Sequence, residues 1–262
     1  MVYLLYTEET GLRRDPKSRF FVYGAMFFPI DALDHMHNLV QRSRDENGFR
    51  PGDELRFSAG SRPKHLTKEQ HTAARRYIID GCRQIGARLI TTIVLPGVAR
   101  GRPMGELAGW GVNAVLGAFE DLLTQEDATG ICVLDRLPFT QPYKYLQTRF
   151  QSGVTADGGA ARRLERVQLL SLSCAGASHV ASAVDIVTGS LKYCLNEKEP
   201  GDSCRAMLPG LLGMVWHGQE GGLIRLRGYG LRFSPEEVKI PAYQQQYDDL
   251  TRRLEGLLKE GL

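Results

Sequence analysis

The sequence predicts an α/β domain built on a mixed sheet. Two observations carry this. Two β-rich apolar runs open the chain, "VYLLYT" at 2–7 and "RFFVYGAMFF" at 19–28, with a stretch full of turn residues between them. After them, apolar runs of strand length alternate with segments of helical period. Antiparallel strands followed by strand–helix alternation place the later strands parallel to the first.

The elements follow in order. The turn-rich stretch "EETGLRRDPKS" predicts that the first two strands form a hairpin. Over 31–45, Leu33, Met36, Leu39 and Val40 recur at helical spacing, and "ENGFRPGDE" ends that helix. "ELRFS" at 54–58 reads as a short third strand. Thr67 with Gln70 three residues on is a capping box, and it starts a helix that stops at Gly86. "ARLITTIVLP" is a strand stopped by Pro96. Gly97 to Gly105 is a basic loop, followed by a helix over "GELAGWGVNAVLGAFEDLL". "GICVLDRL" at 130–137 is a strand, and "TQPYKYLQTRFQ" is a short helix with Pro142 in its first turn. After the loop "TADGGAARR" come a strand, "VQLLSLS", and a long helix, "ASHVASAVDIVTGSLKYCLN". Residues 1–198 form the expected main domain and 199–262 a C-terminal appendage of β and helical segments. In the last helix Tyr243, Tyr247, Leu250, Leu254 and Leu257 are spaced as a heptad seam. That seam either packs on the parent domain or supports a homodimer.

Composition narrows the class. The chain has 262 residues, 42% hydrophobic and 24% charged, with a net charge of +3; these are ordinary values for a globular protein. No apolar run approaches membrane-spanning length, and no basic region precedes an apolar stretch at the start, so a cytoplasmic location is expected. The five cysteines are odd in number and lack C-x-x-C spacing, which argues against disulfides and a zinc knuckle. Of 33 basic residues 25 are Arg. Arg presents a planar fork suited to phosphate, although a GC-rich coding sequence also favours it. There is no P-loop, no dinucleotide fingerprint, no H-E-x-x-H and no G-x-S-x-G. His179, six residues before Asp185, is either a proton-transfer group or a packed imidazole.

Four carboxylates stand out. The first strand ends in the adjacent pair Glu8-Glu9, whose side chains alternate faces if the strand continues, or lie in a turn if it does not. Asp135 is a lone charge at the end of an apolar strand, where ligand sites of open α/β sheets lie; a strand-end aspartate half in water is the plain alternative. Asp185 has only small residues one and two turns away: Ser178, Ala181, Ser182, Thr188 and Gly189. Such neighbours leave room for a ligand, and equally allow close helix packing. Glu54, beside Asp53, opens the expected third strand and by itself indicates little.

In order, these segments resemble the family called domain of unknown function 3800, whose fold is ribonuclease H-like. The family's opening Asp-Glu-Ser-Gly is matched by Glu8-Glu9-Thr10-Gly11, and its Glu-hydrophobic-Lys by Glu54-Leu55-Arg56. Its strand ending in Asp is matched by Asp135, and its Gln-Leu-Ala-Asp helix with a small-residue run by Ser182 to Gly189. The resemblance covers about residues 2–198. Glu8, Thr10, Arg56 and Ser182 depart from the usual residues.

The resemblance implies a ribonuclease H-like mixed central sheet flanked by helices, and a metal-dependent nuclease. Glu8, Glu54, Asp135 and Asp185 are then both the catalytic residues and the ligands of two Mg²⁺ or Mn²⁺ ions, which activate a water and stabilise the leaving oxygen of a phosphodiester. Arg56, Arg100, Arg102, Arg162 and Arg163 are the expected nucleic-acid contacts. Two alternatives stand beside this: a catalytically weak ribonuclease H-like module that binds nucleic acid or a partner protein, and an enzyme hydrolysing small phosphate esters.

Overall fold

The structure, a computed structural model, describes residues 1–10, 18–135, 137, 139–155, 159–197 and 201–260. At its centre is a six-stranded sheet in the order β10 (Leu231–Phe233), β3 (Arg88–Val94), β2 (Phe21–Pro29), β1 (Val2–Thr10), β4 (Thr129–Leu134) and β7 (Val167–Leu172). β1 (Val2–Thr10) and β2 (Phe21–Pro29) pair antiparallel, as the hairpin pattern predicts. β3 (Arg88–Val94) pairs antiparallel with β2. β4 (Thr129–Leu134) runs parallel to β1, and β7 (Val167–Leu172) parallel to β4. Three antiparallel strands followed by two parallel ones, with β1 central, make this an α/β ribonuclease H-like fold.

Alternation along the strands assigns the two faces. Leu4, Val22, Met26 and Phe28 point to one face, and Tyr3, Leu5, Tyr23 and Phe27 to the other. The first face is covered by α1 (Leu33–Glu46), α2 (Lys68–Gln84), α5 (His179–Asn196), α6 (Asp202–Met214) and α7 (Pro241–Glu260). The second is covered by α3 (Met104–Gln125) and α4 (Pro142–Ser152). The Thr67 capping box is present in both directions at the start of α2. Two small ribbons complete the elements: β5 (Val154–Thr155) with β6 (Ala161–Arg162), and β8 (Gly218–Glu220) with β9 (Leu223–Arg225). Among the described residues no helix is long and apolar enough to cross a membrane.

The expected strand at 54–58 does not form. Its backbone is tied to helices instead: Phe57 N–H donates to Asp185 Oδ2 (2.6 Å), and Phe57 C=O accepts from Arg75 Nη1 (2.8 Å). With both groups taken by side chains, no ladder partner is needed. The segment crosses over α5 as a strap.

Residues 201–260 share the core of the sheet. β10 (Leu231–Phe233) adds the sixth strand, parallel to β3. On α7, Tyr247, Leu250 and Leu254 are buried, Leu258 joins them, and Tyr243 and Leu257 are partly buried against the same cluster. The Tyr247 hydroxyl oxygen also accepts from the backbone N–H of Leu95 at 2.9 Å. The heptad seam therefore packs on the chain's own core, the first of the two readings that its spacing leaves open. Leu254→Ala should cost about 2–5 kcal/mol of stability, as for other large-to-small core changes. Urea denaturation reads that loss, and light scattering should give the same molar mass for the variant and the parent chain.

A carboxylate face beneath α5

β1 runs on to Thr10, so Glu8 stands inside the strand, directly opposite Gly24 of β2. It is 7% exposed. The Glu9 and Thr10 side chains, with Gly11 and the Arg13-Arg14 pair, lie outside the described residues. β1 and β4 are in parallel register up to Tyr6 opposite Val133. Two residues further on, that register sets Glu8 beside Asp135. Tyr6 and Val133 both pack on the α5 side of the sheet, so alternation points Glu8 and Asp135 to that side as well.

Asp135 follows immediately after β4 and is half-buried. Its N–H donates to Thr7 Oγ1 (3.2 Å), and the same oxygen accepts from Tyr23 OH (2.8 Å). Thr7 thus anchors the chain where it leaves the sheet. Nothing in the sequence singles out this threonine, because its role depends on a contact 128 residues away in the chain.

α5 brings the third carboxylate. The helix lies so close to β2 that a Cβ at Gly24 would stand 2.6 Å from Thr188 Cγ2. Gly189 is equally constrained, by Phe57 Cγ at 2.6 Å from its own added Cβ. Of the small residues around Asp185, Thr188 and Gly189 therefore serve close packing. Ser178 and Ser182 instead line a groove of about 800 Å³ in which Tyr6, Glu54 and Arg56 also take part. One helical turn separates Asp185 from Thr188, and Thr188 sits over Gly24, the strand neighbour of Glu8. That chain of contacts puts Asp185 above the Glu8 end of β1.

Burial is the main cause that pushes the Asp185 carboxyl above the usual carboxylate range. The Phe57 N–H and the Arg56 charge pull it down, and the charges of Asp135 and Glu54 push it up further. Asp135 and Glu54 thus stand close enough for their charges to be felt at Asp185. Glu54 itself is turned outward: its carboxylate pairs with Arg56 Nε at 3.2 Å, and its side chain is 61% exposed.

The other wall of the groove carries two imidazoles. His179, at the start of α5, stacks on His37 of α1 with ring centroids 4.5 Å apart. Burial first, then the His37 ring and the Arg44 charge, lower its pKa, while Asp45 and a backbone contact of His37 oppose them. His179 is a packed imidazole on the groove, and its partner His37 was not singled out by spacing.

The basic residues divide. Arg56 lies in this groove. Arg102 and Arg162 line a separate cleft against α3, on the opposite face of the sheet. Arg102 pairs with Glu106 (3.1 Å) and Arg162 with Asp121. Arg100 and Arg163 are exposed.

The donors suit a divalent cation by kind. Carboxylate oxygens are the hard ligands that Mg²⁺ and Mn²⁺ take, and like charges near a carboxyl already pushed upward are relieved by a cation. The arrangement is open, however: among the described residues no three His, Cys, Asp or Glu side chains form a group that could hold a metal.

No protein-family model and no curated protein matches the chain. Among solved structures it is similar to the ribonuclease H2 from Pyrococcus horikoshii OT3, at 14% identity and a TM-score of 0.40, over 98% of this chain and 99% of that one. The fold assignment rests on the strand order and directions, which stand without that overlap.

The raised Asp185 pKa has a sign that stability can read. The folded state holds the proton more tightly than the unfolded chain, so Asp185 favours folding at acid pH and loses that contribution as pH rises through its folded pKa. With chelator present, Asp185→Asn should melt higher than the parent at about pH 7. The difference should shrink towards zero below the ordinary carboxyl value of 3.8. Thermal melts across that range check it.

Proposed function

We propose that the chain is a metal-dependent nuclease that uses Glu8, Asp135 and Asp185, with Glu54 joining them, to hydrolyse phosphodiesters. The observation that carries this reading is the placement of Asp185 by α5 over the sheet face shared by Glu8 and Asp135, with a carboxyl that already feels Asp135 and Glu54. Support also comes from the order of the four motifs, which follows the domain of unknown function 3800 family, and from the ribonuclease H-like sheet on which they fall.

In this reading Glu8, Asp135 and Asp185 hold Mg²⁺ or Mn²⁺ through their carboxylate oxygens. Two such ions, when bound, would activate a water and stabilise the leaving oxygen. The chain's own groups do the rest. The sheet fixes Glu8 and the start of the Asp135 segment, so those carboxylates need little ordering when substrate arrives. Phe57 N–H holds one oxygen of Asp185 and sets the direction of the other. Arg56 stands at the groove to meet a phosphate, once Glu54 releases it. Tyr6 and the stacked imidazoles wall the groove in which the polymer lies.

One observation favours a second reading. Glu54 is committed to Arg56, and the described carboxylates form no three-membered cluster. A module that binds nucleic acid with little or no cleavage is consistent with that arrangement.

Cleavage assays on single-stranded and duplex DNA and RNA, with Mg²⁺ and with Mn²⁺, separate the two. Asp135→Asn keeps the side-chain shape and removes the charge. It should lower cleavage by roughly two to three orders of magnitude, about the cost of losing one charge-stabilising group from an active site. Glu8→Gln should do the same, whereas Glu8→Asp restores the family's residue and should keep or raise activity. Full cleavage by Asp135→Asn overturns the nuclease assignment, and binding without cleavage in the parent chain favours the second reading.

Polymer binding has its own check. Arg56→Glu should weaken binding of a short oligonucleotide and lower the logarithmic salt slope by about one phosphate contact. Filter binding over a salt series measures it.

A further inference from the structure

The face opposite the carboxylates carries a second cleft, of about 660 Å³, bounded by α3, the β5–β6 ribbon and β10. It lies within the size range of small-molecule sites. Its lining is unlike that of a packing defect. Arg102, Arg162 and Arg232 face only two lining carboxylates, Asp121 and Glu236. Arg102 is already paired with Glu106, whereas Arg162 and Arg232 share the single carboxylate of Asp121.

Two of these guanidiniums are held in place before any ligand arrives. Arg232 Nε donates to Tyr229 O (3.0 Å) and its Nη2 to Asp121 Oδ2 (2.8 Å). Arg162 Nη1 pairs with the other oxygen of the same carboxylate. Asp121 thus bridges the two forks and fixes them. Each fork has donors besides those that meet Asp121, namely Nη1 of Arg232 and Nη2 of Arg162. Only one negative charge is shared between two positive ones. Fixed guanidiniums with spare donors are a phosphate-binding arrangement.

The rest of the lining suits a planar ring. Trp110 borders the cleft with an indole only partly buried against the core. Base–aromatic stacking is tolerant of which base is present. Asn113, at 8% exposure, also lines the cleft and receives the Tyr145 hydroxyl on Oδ1 at 3.3 Å. Gly117 and Ala114 leave the α3 wall flat between these side chains.

We propose that this cleft binds a nucleoside phosphate, with the base against Trp110 and the phosphate on Arg162 and Arg232. The site is separate from the carboxylate groove and does not depend on the nuclease reading. Three elements far apart in sequence build it, and one of them, β10, comes from the C-terminal sixty residues.

Isothermal titration calorimetry of the full chain in EDTA tests the proposal, with 5′-AMP, adenosine and inorganic phosphate as probes. EDTA removes any contribution of divalent cations at the carboxylates. The expected result is saturable binding of 5′-AMP that is at least tenfold tighter than binding of either adenosine or phosphate. Arg162→Gln, at an exposed position, and Trp110→Leu should each weaken 5′-AMP about tenfold or more, the scale of one charged hydrogen bond or one stacked base. Asp185→Asn should leave the affinity unchanged. Circular dichroism confirms that each variant is folded; where Trp110→Leu is not, Arg162→Gln with Arg102→Gln carries the comparison. A dinucleotide distinguishes the source of the ligand: no gain over 5′-AMP marks a free nucleotide, and a gain marks a strand passing the cleft, either of which fits the site. Absence of saturable 5′-AMP binding, equal affinity for 5′-AMP and phosphate, or loss of binding in Asp185→Asn would overturn the proposal.

Discussion

The approach of α5 to the sheet at Gly24 governs the geometry of the carboxylate face. Thr188 rests where a Cβ would otherwise be, so the helix axis lies closer to β2 than a side chain would permit. Asp185 rides on that contact. Were residue 24 any larger, the helix would be pushed outward, and Asp185 would rise away from Glu8 and Asp135. The position is doubly determined, because Gly189 admits the Phe57 ring on the adjoining side of the same helix. Packing at two glycines thus sets the height of the helix and the path of the strap at once.

That closeness has an electrostatic cost, and the strap offsets part of it. Taking a carboxylate out of water disfavours its charged form. At Asp185 the opposing help comes from one backbone N–H and one guanidinium, both on the segment 54–58. The same segment brings Glu54, whose charge works in the other direction. A single strap therefore carries both the groups that steady Asp185 and one that destabilises its ionised state.

The sequence made the sheet legible because the sheet obeys local rules. Alternation and apolar runs located β1 to β4 and β7, and the capping box at Thr67 located α2 to within a residue. Asp135 and Asp185 were visible as charges in apolar or small-residue surroundings. What failed was whatever depends on distant contacts. "ELRFS" has strand composition, but the N–H and C=O of its Phe57 are taken by Asp185 and Arg75. α6 carries Pro209 inside it, ordinarily a helix breaker, so its sequence does not announce a helix. β10 is three residues long, too short for a period, and yet it extends the central sheet. The heptad spacing on α7 was real, but spacing cannot say whether the seam meets another chain or its own core. Arg56, Arg102 and Arg162 share one expected role, contact with nucleic acid, yet the sheet lies between Arg56 and the other two.

The C-terminal residues connect these two surfaces. β10 lies at the edge of the sheet beside β3, so Arg232 reaches the α3 face while Leu231 and Phe233 enter the core shared with α5 and α7. Tyr247 packs on Phe233 with ring centroids 4.3 Å apart and meets the Leu95 N–H at the end of β3. α7 therefore clamps the strand edge from the α5 side, and the Arg232–Asp121 pair clamps it from the α3 side. An edge strand of three residues has few ladder bonds of its own, and isolated it would be marginal. It is held because each face of the sheet supplies a partner. The same pairing that fixes β10 fixes the Arg232 fork, so the order of the second cleft follows from the packing of the helix that covers the first face.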